Sequence, residues 1–142
     1  MDEIAYRRVL SQINPNNCPF EKSILTGCAS CSMANKLNIA EREIVTCNKT
    51  DSLFLCTEYR NSLLNNFIFA LGVTHIHEPM PHAMEMRLQC GGLKGLQVVL
   101  DGNNIVCDVV ELISRSRQRF GLLTDFPYVQ IVQFANTHYK AR

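Results

Sequence analysis

Five of the chain's seven cysteines fall within its first 56 residues. Their spacing is C-x9-C-x2-C-x15-C-x8-C, and Cys90 and Cys107 follow downstream. Thiolates are soft ligands, so three or four of them that converge on one point favour zinc or an iron–sulfur cluster. Free cysteine also packs as a small hydrophobic residue. The spacing therefore indicates a candidate site, while metal binding, thiol chemistry and simple packing all stay open.

Cys28 and Cys31 form a C-x2-C pair, and Cys47 follows after fifteen residues, which is half of a zinc-ribbon pattern. The second C-x2-C is missing, because the next thiol is Cys56, and no standard ferredoxin spacing fits. A C-x2-C pair is also typical of thiol redox proteins, but the strand–helix–strand context of that motif is absent. The pattern therefore does not identify the kind of site.

Chain geometry limits how Cys18 and Cys31 can share a site. One straight helix between them would hold the two residues about 20 Å apart, too far for any single metal centre. Either the helix breaks at Gly27 or the chain before Pro19 folds back. The later cysteines have no such difficulty, because helix ends and a turn at residues 48–52 lie between them.

The strings CPFEK (18–22), NIAEREIVTC (38–47) and MRLQCGGLKGL (86–96) resemble those of a family of small cysteine-containing bacterial proteins. The resemblance covers most of residues 18–100 and implies no particular activity. In that family the cysteines that recur match Cys18, Cys31, Cys47, Cys56 and Cys90. A cysteine matching Cys28 is often missing.

The resemblance and the geometry together select four expected ligands: Cys18, Cys31, Cys47 and Cys56. We expect them to bind an iron–sulfur cluster of the [4Fe–4S] type, with zinc as the alternative. Cys28 and Cys90 are the substitutes. Cys107 is expected to be a packing residue.

Two other segments contain distinctive residues. His75, His77 and His82 surround Glu78 and two prolines, which makes a weak candidate for a second metal site. Residues 89–96 place three glycines in a helical context, where glycine costs up to about 1 kcal/mol relative to alanine. Close helix packing explains them better than approach to a cofactor, and no strand precedes them as a nucleotide-binding motif requires.

The composition points away from several partners. The formal net charge is +1, so no field of one sign favours nucleic acid, and the three arginines within 115–119 are typical of a solvated helix face. The N-terminus has no secretory signal pattern, and no apolar run is long enough to span a bilayer. We expect a cytoplasmic bacterial protein with reduced cysteines that binds a protein partner or a second copy of itself.

Apolar periodicity and turn residues predict an all-α, single-domain bundle of six or seven short helices over residues 1–142. It comprises a cysteine-rich half (1–72), a His/Pro connector (73–82) and a helical half (83–142). The expected helices cover about 2–13, a segment that starts near Pro19, 38–45, 52–71, 83–100, 104–119 and 125–138.

These observations predict a small iron–sulfur protein for electron transfer or redox sensing. The alternative is a zinc-stabilised or metal-free helical adaptor or accessory subunit. No local motif of a nucleophile, base or hydrolytic metal site is present, so we expect a binding or electron-transfer protein rather than an enzyme.

Overall fold

The computed structural model of the chain describes Ala5 and residues 16–72 and 80–139. Within them the chain is mostly helical, with one small antiparallel sheet. The elements are α1 (Glu21–Thr26), β1 (Ala34–Ile39), β2 (Arg42–Cys47), α2 (Thr50–Leu71), α3 (82–101), α4 (Val109–Phe120) and α5 (Tyr128–His138), with a 3₁₀ turn at Leu123–Asp125. The predicted helix over 2–13 lies outside the described residues.

The first helix is short because Gly27 ends it. Gly27 has φ 80°, and its N–H bonds the carbonyl of Ile24, which is the left-handed end that glycine allows at little cost. Residues 28–33 are therefore a loop, as one of the two sequence alternatives predicted. This break is the one that lets Cys31 turn back toward Cys18.

The helix predicted over 38–45 is wrong: this segment is a β-hairpin. Ala34 pairs with Cys47 and Ile39 with Arg42, and only Ala40 and Glu41 remain for the turn. Both have positive φ values, 52° and 65°, which a two-residue hairpin turn requires. The sequence NIAE looks like a helix start, but strand pairing overrides that local preference. The fold is therefore not purely helical.

The helix α2 is the longest element and was predicted with nearly its observed bounds. It ends at Gly72, which has φ 72°. Helical periodicity predicts an apolar stripe on α2 in which Arg60 is the one charged position; the other members are Leu53, Cys56, Leu63, Leu64, Phe67 and Leu71. Of these, Cys56, Leu63 and Phe67 are buried. Tyr59, which the stripe did not include, is fully buried and donates a 2.8 Å hydrogen bond to the carbonyl of Gly92.

Three segments, His82–Met86, Arg87–Gly91 and Gly92–Asp101, follow one another without a break and form α3. The middle segment is π-helical and ends at Gly91; the glycine pair Gly91–Gly92 is where the sequence predicts an interruption of this helix. Counting α3 as one element gives five helices in the described chain, fewer than predicted. The sequence also placed the start of α4 near residue 104, but residues 103–108 are extended or bent.

The main hydrophobic core unites residues from both halves of the chain. Its largest fully buried members include Phe20, Tyr59, Leu63, Leu88, Leu93, Leu96, Ile113 and Ile131.

The glycines of α3 let the helices approach closely. A Cβ at Gly91 would lie 2.5 Å from Ala135 Cβ and 2.9 Å from Ala135 Cα, so α3 and α5 touch here backbone to backbone.

We predict that Gly91→Ala destabilises the protein by about 2 kcal/mol, because overpacking outweighs the gain in helix propensity. Gly92→Ala is the matched control. Its Cβ would meet the flexible end of Leu63 rather than backbone, so its loss should be smaller. Urea unfolding of the two variants measures both free energies. Equal stability of Gly91→Ala and wild type would contradict this account of the glycines.

Candidate functional site

One small cavity of about 10 Å³ is lined by all four cysteines that the sequence selected. Cys18 precedes α1, Cys31 lies in the loop after it, Cys47 ends β2, and Cys56 lies on α2. The rest of the lining is Pro19, Met33, Ala34, Leu53, Val109 and Val110. Four thiols from four separate elements thus face one apolar space.

Backbone hydrogen bonds hold the Cys18 segment against β2. The N–H of Cys18 donates to the carbonyl of Val45 at 2.9 Å, and the N–H of Cys47 donates to Asn16 at 2.8 Å. The Val45 N–H in turn donates to Glu21 Oε2 at 2.8 Å. These bonds fix Cys18 and Cys47 side by side at the mouth of the hairpin.

The loop that carries Cys31 is tied to the chain before α4. Ala29 forms a parallel bridge with Val106, and the N–H of Ser30 donates to Val106 at 3.1 Å. The N–H of Val109 then donates to the carbonyl of Ser30 at 2.9 Å. This contact brings the start of α4 to the cavity, where Val109 and Val110 complete its wall.

Burial raises the pKa values of three cavity thiols, those of Cys18, Cys31 and Cys56. It raises the pKa of Cys18 to about 12; the N–H of Phe20 opposes this, and the nearby Cys31 and Cys47 add to it. Burial raises the pKa of Cys56 even further, and charge on the other three cysteines again adds to it. Burial is the larger obstacle to ionisation of Cys18 and Cys56 and repulsion from neighbouring thiolates the smaller one, and a cation among the sulfurs would offset both.

Backbone N–H groups point at two of the sulfurs. Phe20, two residues after Cys18, donates to it, and Met33, two residues after Cys31, does the same. Val110 also donates to the Cys31 sulfur. These bonds lower the thiol pKa values and oppose burial, and hydrogen bonds to thiolate sulfur are a common feature of metal–thiolate centres.

Asp108 is a site residue that the sequence did not reveal. Burial is the main cause that raises the pKa of Cys31, and the Asp108 carboxylate raises it further. Asp108 also accepts a 3.4 Å hydrogen bond from the N–H of Ser32. It lies more than seventy residues from Cys31 in the chain, so no local spacing could have signalled it.

The substitute ligands Cys28 and Cys90 form a disulfide with each other. Neither therefore has a free thiol that could bind a metal. The expectation that all cysteines are reduced is wrong for this pair. Cys28 also does not pair with Cys31, as the C-x2-C interpretation required. Cys107 is free and exposed rather than packed.

The histidine segment is only partly described. His75 and His77 fall in residues 73–79, outside the described chain. His82 is exposed, and its Nδ1 accepts a 3.2 Å hydrogen bond from Lys22 Nζ. A second metal site at these residues stays a prediction.

Across residues 16–72 and 80–139, no three Cys, His, Asp or Glu side chains are arranged so that they could hold a metal ion. The four thiols share a cavity, but they would have to shift to coordinate one ion or cluster together. The donor set therefore fits a soft metal in its chemistry, while its geometry requires side-chain movement.

A larger groove of about 510 Å³ lies between α2 and α5, lined by Asn66, Phe69, Ala70, Tyr128, Val129, Val132, Gln133, Asn136 and Thr137. No charged or thiol side chain lines it. It offers apolar area and amide groups but no acid, base or nucleophile of ordinary catalytic strength.

Comparisons of the chain with protein-family models, with curated proteins and with solved structures each returned no match. The resemblance drawn from the sequence strings stays a prediction. Within the described chain, no helix combines the length and hydrophobicity needed to cross a membrane.

The raised pKa of Cys18 predicts its reactivity. Only the thiolate reacts with iodoacetamide, so between about pH 8 and pH 10 Cys18 of the folded, metal-stripped protein should react at least about 100-fold more slowly than in urea. Exposed Cys107 should react at similar rates in both states. Peptide mass spectrometry measures both rates. Equal rates for Cys18 folded and unfolded would show that burial does not raise its pKa.

Proposed function

We propose that Cys18, Cys31, Cys47 and Cys56 hold an iron–sulfur cluster of the [4Fe–4S] type and that the protein transfers electrons or senses redox state. The observation that supports this most is the shared cavity: four cysteines far apart in the chain line one space of about 10 Å³. A hydrophobic core needs no such gathering of thiols, because isolated cysteines pack equally well.

The electrostatics of the cavity support a resident cation. Without one, Cys18 and Cys56 are protonated at neutral pH, because burial first and neighbouring thiolate charge second raise their pKa values. A bound metal centre displaces those protons, and the N–H donors to Cys18 and Cys31 then stabilise the thiolates. Metal binding should accordingly release protons and weaken as the pH falls.

Partial exposure of the site suits contact with a redox partner. Cys18, Cys31 and Cys47 are half-buried, whereas Cys56 is buried. A cluster held there would lie close to the surface, within reach of a protein partner or a second copy of the chain. We place this activity in the cytoplasm and expect no role for nucleic acid.

The size of the cavity favours zinc as a second candidate. A volume of about 10 Å³ is close to the smallest that holds one water molecule. A four-iron cluster is much larger and would push the thiols outward, whereas a single zinc ion would draw them in to Zn–S distances of about 2.3 Å. With zinc, the protein would be a metal-stabilised adaptor or accessory subunit.

The decisive experiment assays iron, acid-labile sulfide and zinc in anaerobically purified protein and records its absorbance spectrum. Matching iron and sulfide with broad visible absorbance supports the cluster. One equivalent of zinc in a colourless protein supports the adaptor. A protein that neither retains nor binds either metal on reconstitution would overturn both.

The ligand set is tested by Cys47→Ser. Removing a residue that only hydrogen-bonds to a metal ligand typically weakens metal binding about tenfold or more. Removing a ligand itself should weaken it at least as much, so we expect the metal content of Cys47→Ser to fall at least about tenfold. Cys107→Ser is the control, because Cys107 is exposed and does not line the cavity. Unchanged metal content in Cys47→Ser would remove Cys47 from the ligand set.

A further inference from the structure

The Cys28–Cys90 disulfide links the loop after α1 to the π-helical segment of α3. The two residues are 62 positions apart in sequence, and their Cα atoms lie 6.0 Å apart. Their surroundings differ: Cys28 is half-buried in the loop, whereas Cys90 is 0% exposed. Of the two sulfur-bearing residues, only Cys28 is within reach of a molecule in solution.

The surface beside Cys28 is open. Gly27 precedes it, and a Cβ at Gly27 would meet no atom within 4 Å. Thr26 and Gly27 are both exposed, and Ser30 on the far side of the loop is exposed as well. A substrate sulfur can therefore approach Cys28 without displacing the core.

Two hydroxyl groups surround the buried sulfur. Ser23 Oγ lies 3.8 Å from Cys90 Sγ, and Thr26 Oγ1 lies 4.0 Å from it. Thr26 donates to the carbonyl of Lys22 at 2.7 Å, whereas the fully buried Ser23 hydroxyl donates only at 3.5 Å, to Gln89 Oε1. Ser23 is therefore the hydroxyl that gives up less when it turns to donate to a Cys90 thiolate. Stabilising that thiolate makes Cys90 a better leaving group when a thiol opens the disulfide.

The backbone around Cys90 is also unusual. Residues Arg87–Gly91 form a π-helical turn, a feature found frequently at functional sites. In a reducing compartment such as the cytoplasm proposed above, disulfides are mostly transient and catalytic or sensory rather than structural.

We propose that Cys28 and Cys90 form a redox-active pair that reduces disulfide substrates, with Cys28 as the nucleophile and Cys90 as the resolving cysteine. This activity does not depend on the metal site. Each turnover consumes one substrate disulfide, RSSR, and is completed by a low-molecular-weight thiol such as glutathione as the reductant.

The steps balance. In the reduced pair, the Cys28 thiolate attacks RSSR, the substrate S–S bond breaks, and RS⁻ leaves and takes up a proton. The Cys90 thiolate then attacks the Cys28 sulfur of the mixed disulfide, forms Cys28–Cys90 and releases the second RS⁻, which is also protonated. Two electrons pass from the protein dithiol to the substrate, and two glutathione molecules restore the dithiol as they become glutathione disulfide.

The first test uses the Cys90→Ser variant with glutathione disulfide as the probe, followed by peptide mass spectrometry. Cys28 should form a stable mixed disulfide with glutathione, because Cys90, its resolving thiol, is absent. Cys28→Ser is the matched control, in which the remaining Cys90 should react at least about tenfold more slowly because it is fully buried. Peptide mapping distinguishes glutathione bound to Cys28 or Cys90 from glutathione bound to the exposed Cys107. Equal modification of Cys28 and Cys90 would overturn the assigned roles.

The second test uses the wild-type protein, so that it does not depend on the folding of a variant. In a glutathione redox buffer the pair should open and close while the far-ultraviolet circular dichroism stays constant, and the reduced protein should reduce the disulfides of insulin. A Cys28–Cys90 bond that opens only after urea unfolding would overturn the proposal and make the disulfide structural. The metal content of Cys28→Ser, assayed in parallel, tests the metal site separately.

Discussion

The short loop from Cys28 to Cys31 is the constraint on which both groups of cysteines depend. Its first residue is bonded covalently to Cys90. The N–H of Ala29 donates to Ser23 at 3.3 Å, and Ser30 exchanges backbone hydrogen bonds with the chain before α4. With three successive residues held in this way, Cys31 has little freedom left. Its sulfur faces the four-cysteine cavity because the three residues before it are tied to α1, α3 and the start of α4.

A buried ionic network supports the same region from the side of α2. Arg60 Nη2 lies 2.8 Å from Glu85 Oε1, and Gln89 Nε2 donates to the same oxygen at 2.6 Å. The carbonyl oxygen of the Gln89 side chain accepts a 3.1 Å bond from the N–H of Ser23. Arg60 is the one charged residue in the apolar stripe of α2, and this network explains its position. Each buried polar group has a partner, which is what burial of charge requires.

The sequence predicted the features that depend on neighbouring residues. Gly27 and Gly72 end helices because only glycine accepts a left-handed backbone cheaply, and that rule can be applied without a structure. The break at Gly27, one of two alternatives that the sequence left open, is present and lets Cys31 turn back toward Cys18. The turn before α2, which the sequence predicted, lies between Cys47 and Cys56. The expectation of metal binding at these residues stays a prediction.

The features that the sequence did not predict depend on residues far apart in the chain. The hairpin was read as a helix because pairing of β1 with β2, rather than local preference, decides that segment. The disulfide partner of Cys28 lies 62 residues away. Asp108 lies beside Cys31 and Ser32 because Val106 pairs with the loop after α1. Periodicity carries no information about contacts of this kind.

The Cys28–Cys90 disulfide and the four-cysteine cavity adjoin in sequence, because Cys28 and Cys31 are three residues from each other. Disulfide exchange needs a thiolate as attacking group. Burial raises the pKa of Cys31, and it raises those of Cys18 and Cys56 as well. At neutral pH these thiols are therefore protonated and poor nucleophiles toward the neighbouring disulfide, and a bound metal would occupy the same sulfurs. The raised pKa values of Cys18, Cys31 and Cys56 therefore slow transfer of the Cys28–Cys90 disulfide to these three cysteines.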